Sequence, residues 1–492
     1  MNSGFFISQN LKITPMKIYT KTQQLLSDTK TPVSLFLALR DEYSAPMLLE
    51  SSDYNSKNNH YSFLCFEPIA SITIHNNQAK TVINGEITKE TLPADAQSLN
   101  KAFTDFINIF EFEDHLQDNL KGLFGYCSFN IVEYTHEITL RNYTNDIPEL
   151  LYHLYSLVLV FNHANNELSI YSHAYSDDKA IENLELLTER IDLHKHNNYS
   201  FELTGNETSN CTDEDYMLKV TKAKKYCKLG EVFQLVVSRR FYQKFKGDDF
   251  NVYRALKKIN PSPYLFYFDT GNFKIFGSSP EAQLKISKGI TEIHPIAGTY
   301  KRTGDDAFDI VKAGELLNDA KENAEHVMLV DLARNDLSKY SRNVHVKSYK
   351  QIQFYSHVIH MVSNVCGELR PEFNSFETLS GTFPAGTLSG APKHRAIQLI
   401  DELENDARGF YGGTIGFVGQ KNELNQAIII RSFLSRNNEL IYQAGAGIVE
   451  SSKEENELNE VFNKINGLRN ALKEANTLFK TNVRHQEIVT LP

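Results

Sequence analysis

The sequence predicts a chain of mixed α and β structure arranged as two lobes. Three observations lead there. Short runs of apolar or alternating residues, bounded by polar turns, fill much of the first half and recur in the second. Between them stand segments with apolar residues at helical spacing. Near the middle, His194 to Asp215 is rich in Asn, Thr and Ser and poor in aliphatics, the composition of a connecting loop and of a domain boundary.

In chain order, Ser62 to Ile69, Leu151 to Asn162 and Glu167 to Ser172 read as strands, the last two joined by the turn His163 to Asn166. A helix follows from Asp177 to Asp192, and beyond the polar stretch an amphipathic helix covers Tyr216 to Leu229 and stops at Gly230. Strands are expected at Val232 to Ser238, Tyr264 to Asp269, Phe273 to Phe276 and Ile290 to Ile293. One long helix is expected from Asp309 to Arg334. Tyr411 to Val418, Gln426 to Phe433 and Leu440 to Ala444 alternate like sheet strands, and a last helix runs from Lys453 to Ala475. The tail beyond Thr477 reads as loosely held.

Composition narrows the function classes. With 492 residues, 41% hydrophobic and 23% charged, the chain can bury a large core. Its net charge of -10 opposes non-specific attraction to nucleic acid or anionic membrane, so neither is an expected partner. Five cysteines, at 65, 127, 211, 227 and 366, form no CxxC pair and support neither a disulfide framework nor a zinc site. Met1 to Lys12 does not read as a signal peptide, and apolar runs such as Leu157 to Phe161 are too short to span a bilayer. A cytoplasmic location is the expectation.

Two acidic pairs invite chemistry. Glu322 and Glu325, three apart, share one face of the long helix, and Glu457 and Glu460 repeat the spacing on the last helix. Leu458, Val461, Phe462, Ile465 and Leu468 form the buried stripe of that last helix. Converging carboxylates could hold one hard cation such as magnesium, which takes one or two carboxylates and keeps waters. Spacing alone leaves the plainer reading open, because Glu460 and Lys464 are also an ordinary i,i+4 pair worth about 0.2–0.5 kcal/mol.

Longer motifs decide more. The run Lys321 to Asp336, KENAEHVMLVDLARND, closely resembles the signature helix of chorismate-utilising enzymes. Gly386 to Lys393 (GTLSGAPK), Arg408 to Gly413 (RGFYGG) and Gln443 to Val449 (QAGAGIV) resemble three further motifs of that family, in the same order. The resemblance implies an α+β fold, a large two-lobed sandwich of antiparallel sheets with outer helices, in which both halves contribute to one core. It implies an N-terminal regulatory lobe over 16–195 and a chorismate-binding catalytic domain over 212–475.

The same resemblance implies roles. Glu325 and Glu460 would hold Mg²⁺ directly, with Glu322 and Glu457 behind its waters or lining the site, and the ring carboxylate of chorismate would meet the metal. Arg431, Lys464 and Tyr411, with backbone N–H groups near Gly445 and Gly447, would take the pyruvyl carboxylate. Glu281, in GSSPE, matches the general acid that protonates the departing hydroxyl, for which its pKa should be raised. His360 matches the histidine linked to pyruvate elimination, and Thr387 would orient the ring.

Two positions discriminate within the family. Aminodeoxychorismate-forming members, the alternative reading, carry Lys in the motif PIKGT, where this chain has Ala297. Members that add water carry Lys where this chain has Gln234. With both lysines absent, ammonia is the expected nucleophile and anthranilate with pyruvate the expected products, a lyase reaction that begins tryptophan synthesis. A silent tryptophan-sensing subunit is the contrasting class, opposed by the intact set of catalytic side chains. The absence of tryptophan beside 31 phenylalanines and 24 tyrosines suits an enzyme needed when that amino acid is scarce, although chance or coding bias accounts for it equally.

Leu48 to Ser51 and Asn260 to Tyr264 resemble the paired segments that bind L-tryptophan as feedback inhibitor, giving Glu50, Ser51, Pro263, Tyr264 and Leu265 as inhibitor-binding candidates. Leu265 stands where many relatives have Met, and Tyr61 where some are basic. Family members receive ammonia from a glutamine amidotransferase. No cysteine here has the glycine-flanked setting such a domain needs, so a separate amidotransferase subunit and a heterotetramer are expected.

Overall fold

Alternation along the chain becomes long antiparallel strands with helices laid against them. The structure, a computed structural model, describes residues 15–51, 61–141, 147–193, 197–355 and 358–480. It is mixed α+β, with a large antiparallel sheet system and helices.

Two long strands, Tyr61–His75 and Leu150–Asn162, pair with each other along most of their length and hold the sheets together. The pairing slips between Pro68 and Ala70, where Pro cannot donate and Glu67 takes φ +60. Such a bulge bends a strand, and here the ends part company: one end of Leu150–Asn162 joins Gly122–Cys127, the other Glu167–Ala174. The two halves of the chain are interleaved. Met47–Glu50 lies against Tyr264–Asp269, and Gly122–Cys127 against Thr414–Gly419.

Burial follows the pairing. Two large apolar clusters form, and each draws residues from both halves of the chain; a third, small one joins Ala313, Leu316, Ile359 and Met361.

Three boundaries differ from the sequence reading, each for a local reason. The polar stretch contains a strand, Phe201–Ser209, paired with Gln234–Gly247. Only one face of it needs to be apolar: Phe201 is buried and stacks on Phe245 at 5.5 Å, while the other face is wet. The expected long helix is two helices, Asp306–Asn318 and Ala320–Tyr340. Asp319 breaks it, because its carboxylate accepts the N–H groups of Lys321 and Glu322 and starts the second helix. The expected strand Gln426 to Phe433 is also two, Leu424–Ile428 and Ser432–Arg436, and the break falls at Arg431, whose φ is +48. The last helix, Glu454–Leu478, runs as expected. His194 and the tail from 481 lie outside the described residues.

Candidate active site

A cavity of about 890 Å³ gathers all but one of the candidate catalytic, substrate-binding and metal residues. Glu281, His360, Thr387, Tyr411, Arg431, Gly445, Gly447, Lys464, Glu322, Glu325 and Glu460 all line it, and Glu457 does not. They come from the second half of the chain but from many elements, so only the closed sheet brings them together.

One wall is built by strand ends. Glu281 follows Lys274–Ser279, and its carbonyl accepts the Ile428 N–H at 3.0 Å. Its carboxylate accepts the Thr387 hydroxyl at 3.0 Å. Removal from water pushes the Glu281 carboxyl up to about 7; the Thr387 bond, Lys464 and Arg431 pull the other way without cancelling it. A carboxyl there keeps a proton near neutrality and can give it to a leaving group.

Arg431 reaches this wall because of its left-handed backbone. Its carbonyl accepts the Ser278 N–H at 3.1 Å, so the turn is pinned to the Glu281 strand. Burial pushes its guanidinium below the usual value, and Glu281 acts to raise it. His360 lies in Val358–Leu369, buried, with Nδ1 3.3 Å from the Gly298 carbonyl. A carbonyl only accepts, so Nδ1 carries the hydrogen. Burial first, then Arg431, pulls this ring down to about 4, and it is neutral near pH 7.

Tyr411 is buried, its hydroxyl bonded by the Gly445 backbone and its ring 5.6 Å from the Arg408 guanidinium. Sequence reasoning gave Arg408 no role, although it stood in a quoted motif. It is a fully buried cation paired with Glu404 at 2.7 Å, and it donates to the carbonyls of Leu388 and Val236. Glu404 in turn accepts from Ser238 N and Oγ. This network ties the turn bearing Tyr411 to the Gln234–Gly247 strand and to the short helix bearing Thr387. It supports the wall without lining it.

The opposite end is acidic. Glu325 accepts from Gln234 Nε2 at 3.0 Å, and Glu460 pairs with Lys464 at 2.7 Å. Lys464 also donates to the Gly445 carbonyl at 2.8 Å. Burial raises the Glu322 carboxyl, and Glu325 and Glu460 raise it further against Lys321. Glu457 is buried and raised by loss of water, with a Ser452 bond opposing. The two glycines make room for protein: a Cβ on Gly447 would fall 2.4 Å from Gln234 Nε2, and one on Gly445 2.9 Å from the Val237 carbonyl.

These donors suit magnesium by chemistry. They are hard carboxylate oxygens whose mutual repulsion, read in the raised Glu322, a divalent ion relieves. Among the described residues, no three His, Cys, Asp or Glu side chains form a ready cage.

The two discriminating positions face the same cavity. Ala297 and Gln234 both line it, and neither supplies an amine. Lys301, Lys321, Asn463 and Asn470 line it too. Sequence reasoning passed over all four, although Asn463 and Asn470, three and ten residues past Glu460, fall on its face of the last helix.

The candidate inhibitor segments meet away from that centre. Glu50 is the cross-strand partner of Leu265, and its buried carboxylate accepts from Tyr253 and Lys257, each at 2.5 Å. Leu265 and Pro263 are buried, Tyr264 is half-buried with Lys285 above its ring, and Ser51 follows the strand half-buried. The Asn260 to Pro263 turn borders a small void shared with His360 and Arg431, which connects the segment to the main cavity wall. Tyr61 is exposed.

The chain resembles known proteins along most of its length. Residues 46–470 match the chorismate binding enzyme family. The chain is 35% identical over 483 residues to anthranilate synthase component 1 of Aquifex aeolicus, covering 95% of this chain and 96% of that one. It is 37% identical over 482 residues to the protein of the same name from Acetivibrio thermocellus, covering 92% and 95%. Among solved structures, anthranilate synthase component I from Streptococcus pneumoniae superposes with a TM-score of 0.74 at 28% identity, covering 91% and 99%. The menaquinone-specific isochorismate synthase of Escherichia coli shares the fold, with a TM-score of 0.72 at 18% identity, covering 93% and 95%. No helix among the described residues is long and apolar enough to cross a membrane.

Proposed function

The chain belongs to the chorismate-binding enzyme family, and from that premise we propose that it converts chorismate and ammonia to anthranilate, pyruvate and water, the first committed step of tryptophan synthesis. One observation carries the reading. A single cavity holds a carboxyl raised to about 7, a neutral imidazole, four cations and an acidic end, while the two positions that the resemblance marks for lysine in other branches are Ala297 and Gln234.

The residues divide the work. Arg431 and Lys464, with Tyr411, hold the pyruvyl carboxylate. Glu325 and Glu460, with Glu322 and Glu457 behind them, would hold magnesium, which when bound would supply charge neutralisation for the ring carboxylate. Ammonia adds at C2 while Glu281 gives its proton to the C4 hydroxyl, which leaves as water. Thr387 orients that carboxyl by donating to Oε1. Elimination then takes the C2 proton and releases pyruvate, with neutral His360 beside the enolpyruvyl group as the proton-handling side chain. Glu50, Ser51, Pro263, Tyr264 and Leu265 form the L-tryptophan inhibitor site, and a glutamine amidotransferase subunit supplies ammonia in a heterotetramer.

The test is turnover of the purified chain with chorismate, Mg²⁺ and ammonium, read by anthranilate fluorescence and product mass. Anthranilate supports the reading. A non-aromatic amino product assigns the chain to the aminodeoxychorismate branch, isochorismate to the water-adding branch, and no product to a sensor; each of these sinks it.

A further inference from the structure

We propose that Lys301 and Lys321 form a capture pair at the mouth of the reaction cavity, drawing a dianionic substrate inward to Arg431 and Lys464. This rests on chorismate as the substrate in the reading above, and not on which product forms from it.

The chain as a whole repels what it must bind. Its net charge is -10, and the substrate carries two carboxylates. At physiological salt a charge is felt over about 8 Å, so only groups beside the mouth can offset that repulsion. Four cations line the cavity, and they are of two kinds. Arg431 sits on the turn pinned to the Glu281 strand, and Lys464 is held by Glu460 at 2.7 Å and by the Gly445 carbonyl at 2.8 Å. Lys301 and Lys321 are exposed, and among the described residues neither ammonium has an ion-pair or hydrogen-bond partner.

One contact sets their placement. Lys301 ends the Ile296–Lys301 strand opposite Val358, which also lines the cavity. Lys321 lies in the first turn of the Ala320–Tyr340 helix. The Tyr300 hydroxyl donates to the Asp319 carboxylate at 3.3 Å and ties the strand end to the helix start. Each lysine stands within two residues of that tie, so both rise from one lip. The helix start itself offers an anion little, because the Lys321 and Glu322 N–H groups are already taken by the Asp319 carboxylate. Positive charge at this lip comes from the two side chains.

Solvated lysines on a surface usually have no such role. These two differ in lining the cavity, in sharing a lip and in lacking an acid to neutralise them. Their chemistry also fits capture. A compact, hydrated ammonium on a flexible stem attracts an anion without fixing its geometry, whereas the planar fork of Arg431 suits the fixed grip further in. Lys321 acts to lower the Glu322 and Glu457 carboxyls, so it shields an arriving anion from the acidic end. A cleft that carries such cations raises the local concentration of an anion and its rate of association.

The test follows chorismate consumption by the full chain with ammonium, at fixed Mg²⁺, across a KCl series. In the unaltered chain kcat/KM should fall as KCl rises. In the double variant Lys301→Met, Lys321→Met, kcat/KM at low salt should fall about tenfold through KM, and its salt dependence should flatten. The two curves should meet near about 1 M KCl, where charges are screened within about 3 Å. Its kcat should stay within about twofold, which also reports an intact fold. The pair Lys301→Arg, Lys321→Arg keeps both charges and should keep the salt dependence. Lys473→Met, a change at another exposed lysine outside the cavity, should alter neither constant. An unchanged salt dependence in the double methionine variant would overturn the proposal. So would a loss of kcat at constant KM, since the lysines would then act in the chemical step. A product other than anthranilate sinks the ammonia reading alone, and a flattened salt dependence then still supports capture. If the unaltered chain consumes no chorismate, both fall.

Discussion

Glu404 with Arg408 and Glu460 with Lys464 share one spacing, acid first and base four residues on, and differ in everything around them. The first pair is 4% and 1% exposed, joined by two N–H donors, and has two further arginine donors spent on backbone carbonyls. The second is 42% exposed on both partners and faces the cavity. A buried pair is costly to break because its survivor is left charged without water. An exposed one contributes almost nothing to stability and can exchange partners. Equal spacing therefore yields a structural tie in one place and a releasable contact in the other, and the surrounding chain decides which.

Breaking each pair measures the contrast. Arg408→Met should cost about 3–5 kcal/mol in chemical denaturation by stranding Glu404. A loss below about 1 kcal/mol would erase the distinction. Glu460→Gln should leave stability within about 0.5 kcal/mol. Its anthranilate formation with ammonium should nevertheless fall by at least about 100-fold, with a raised magnesium requirement in titration.

The exposed pair also reaches Glu281, since Lys464 and Arg431 both act to lower that carboxyl. Folded Glu281 titrates near about 7, above its ordinary value of 4.5. Its contribution to stability is therefore full below about 4.5 and lost as pH rises through about 7. Turnover that needs the proton falls over the same upper range, seen as a descending limb of kcat near pH 7. Thr387→Val removes the strongest opposing contact, and the limb should move to higher pH; Lys464→Met should move it the same way by less. A downward move in either variant contradicts the assignment of the acid. The smallest effect is expected at Glu50→Gln, where calorimetry should show weakened binding of tryptophan and denaturation a loss of about 1–2 kcal/mol.

Much of this was legible in the sequence where function depends on motifs. Glu281, Thr387, His360 and Arg431 were named from short runs, and the fold brings them to one wall. The acidic pairs and the Glu460–Lys464 contact were visible as spacing, but that Glu325 meets Gln234 depends on how a helix and a strand from distant segments are set. Arg408 could be quoted but not interpreted, because nothing in RGFYGG shows that the guanidinium points inward. The break at Asp319 was hidden because the apolar period continues on both sides of it, and only the carboxylate on two N–H groups ends one helix and begins the next. The left-handed Arg431 was hidden for a related reason: the residues around it alternate as a strand should.

The order in which the site is assembled has a cost during synthesis. Gly445, Gly447, Glu460 and Lys464 are translated after almost everything else, and they close one side of the cavity. A ribosome that stalls before codon 439 leaves a polypeptide that carries Glu281, Tyr411 and Arg431 but lacks the strand and helix that complete the cavity.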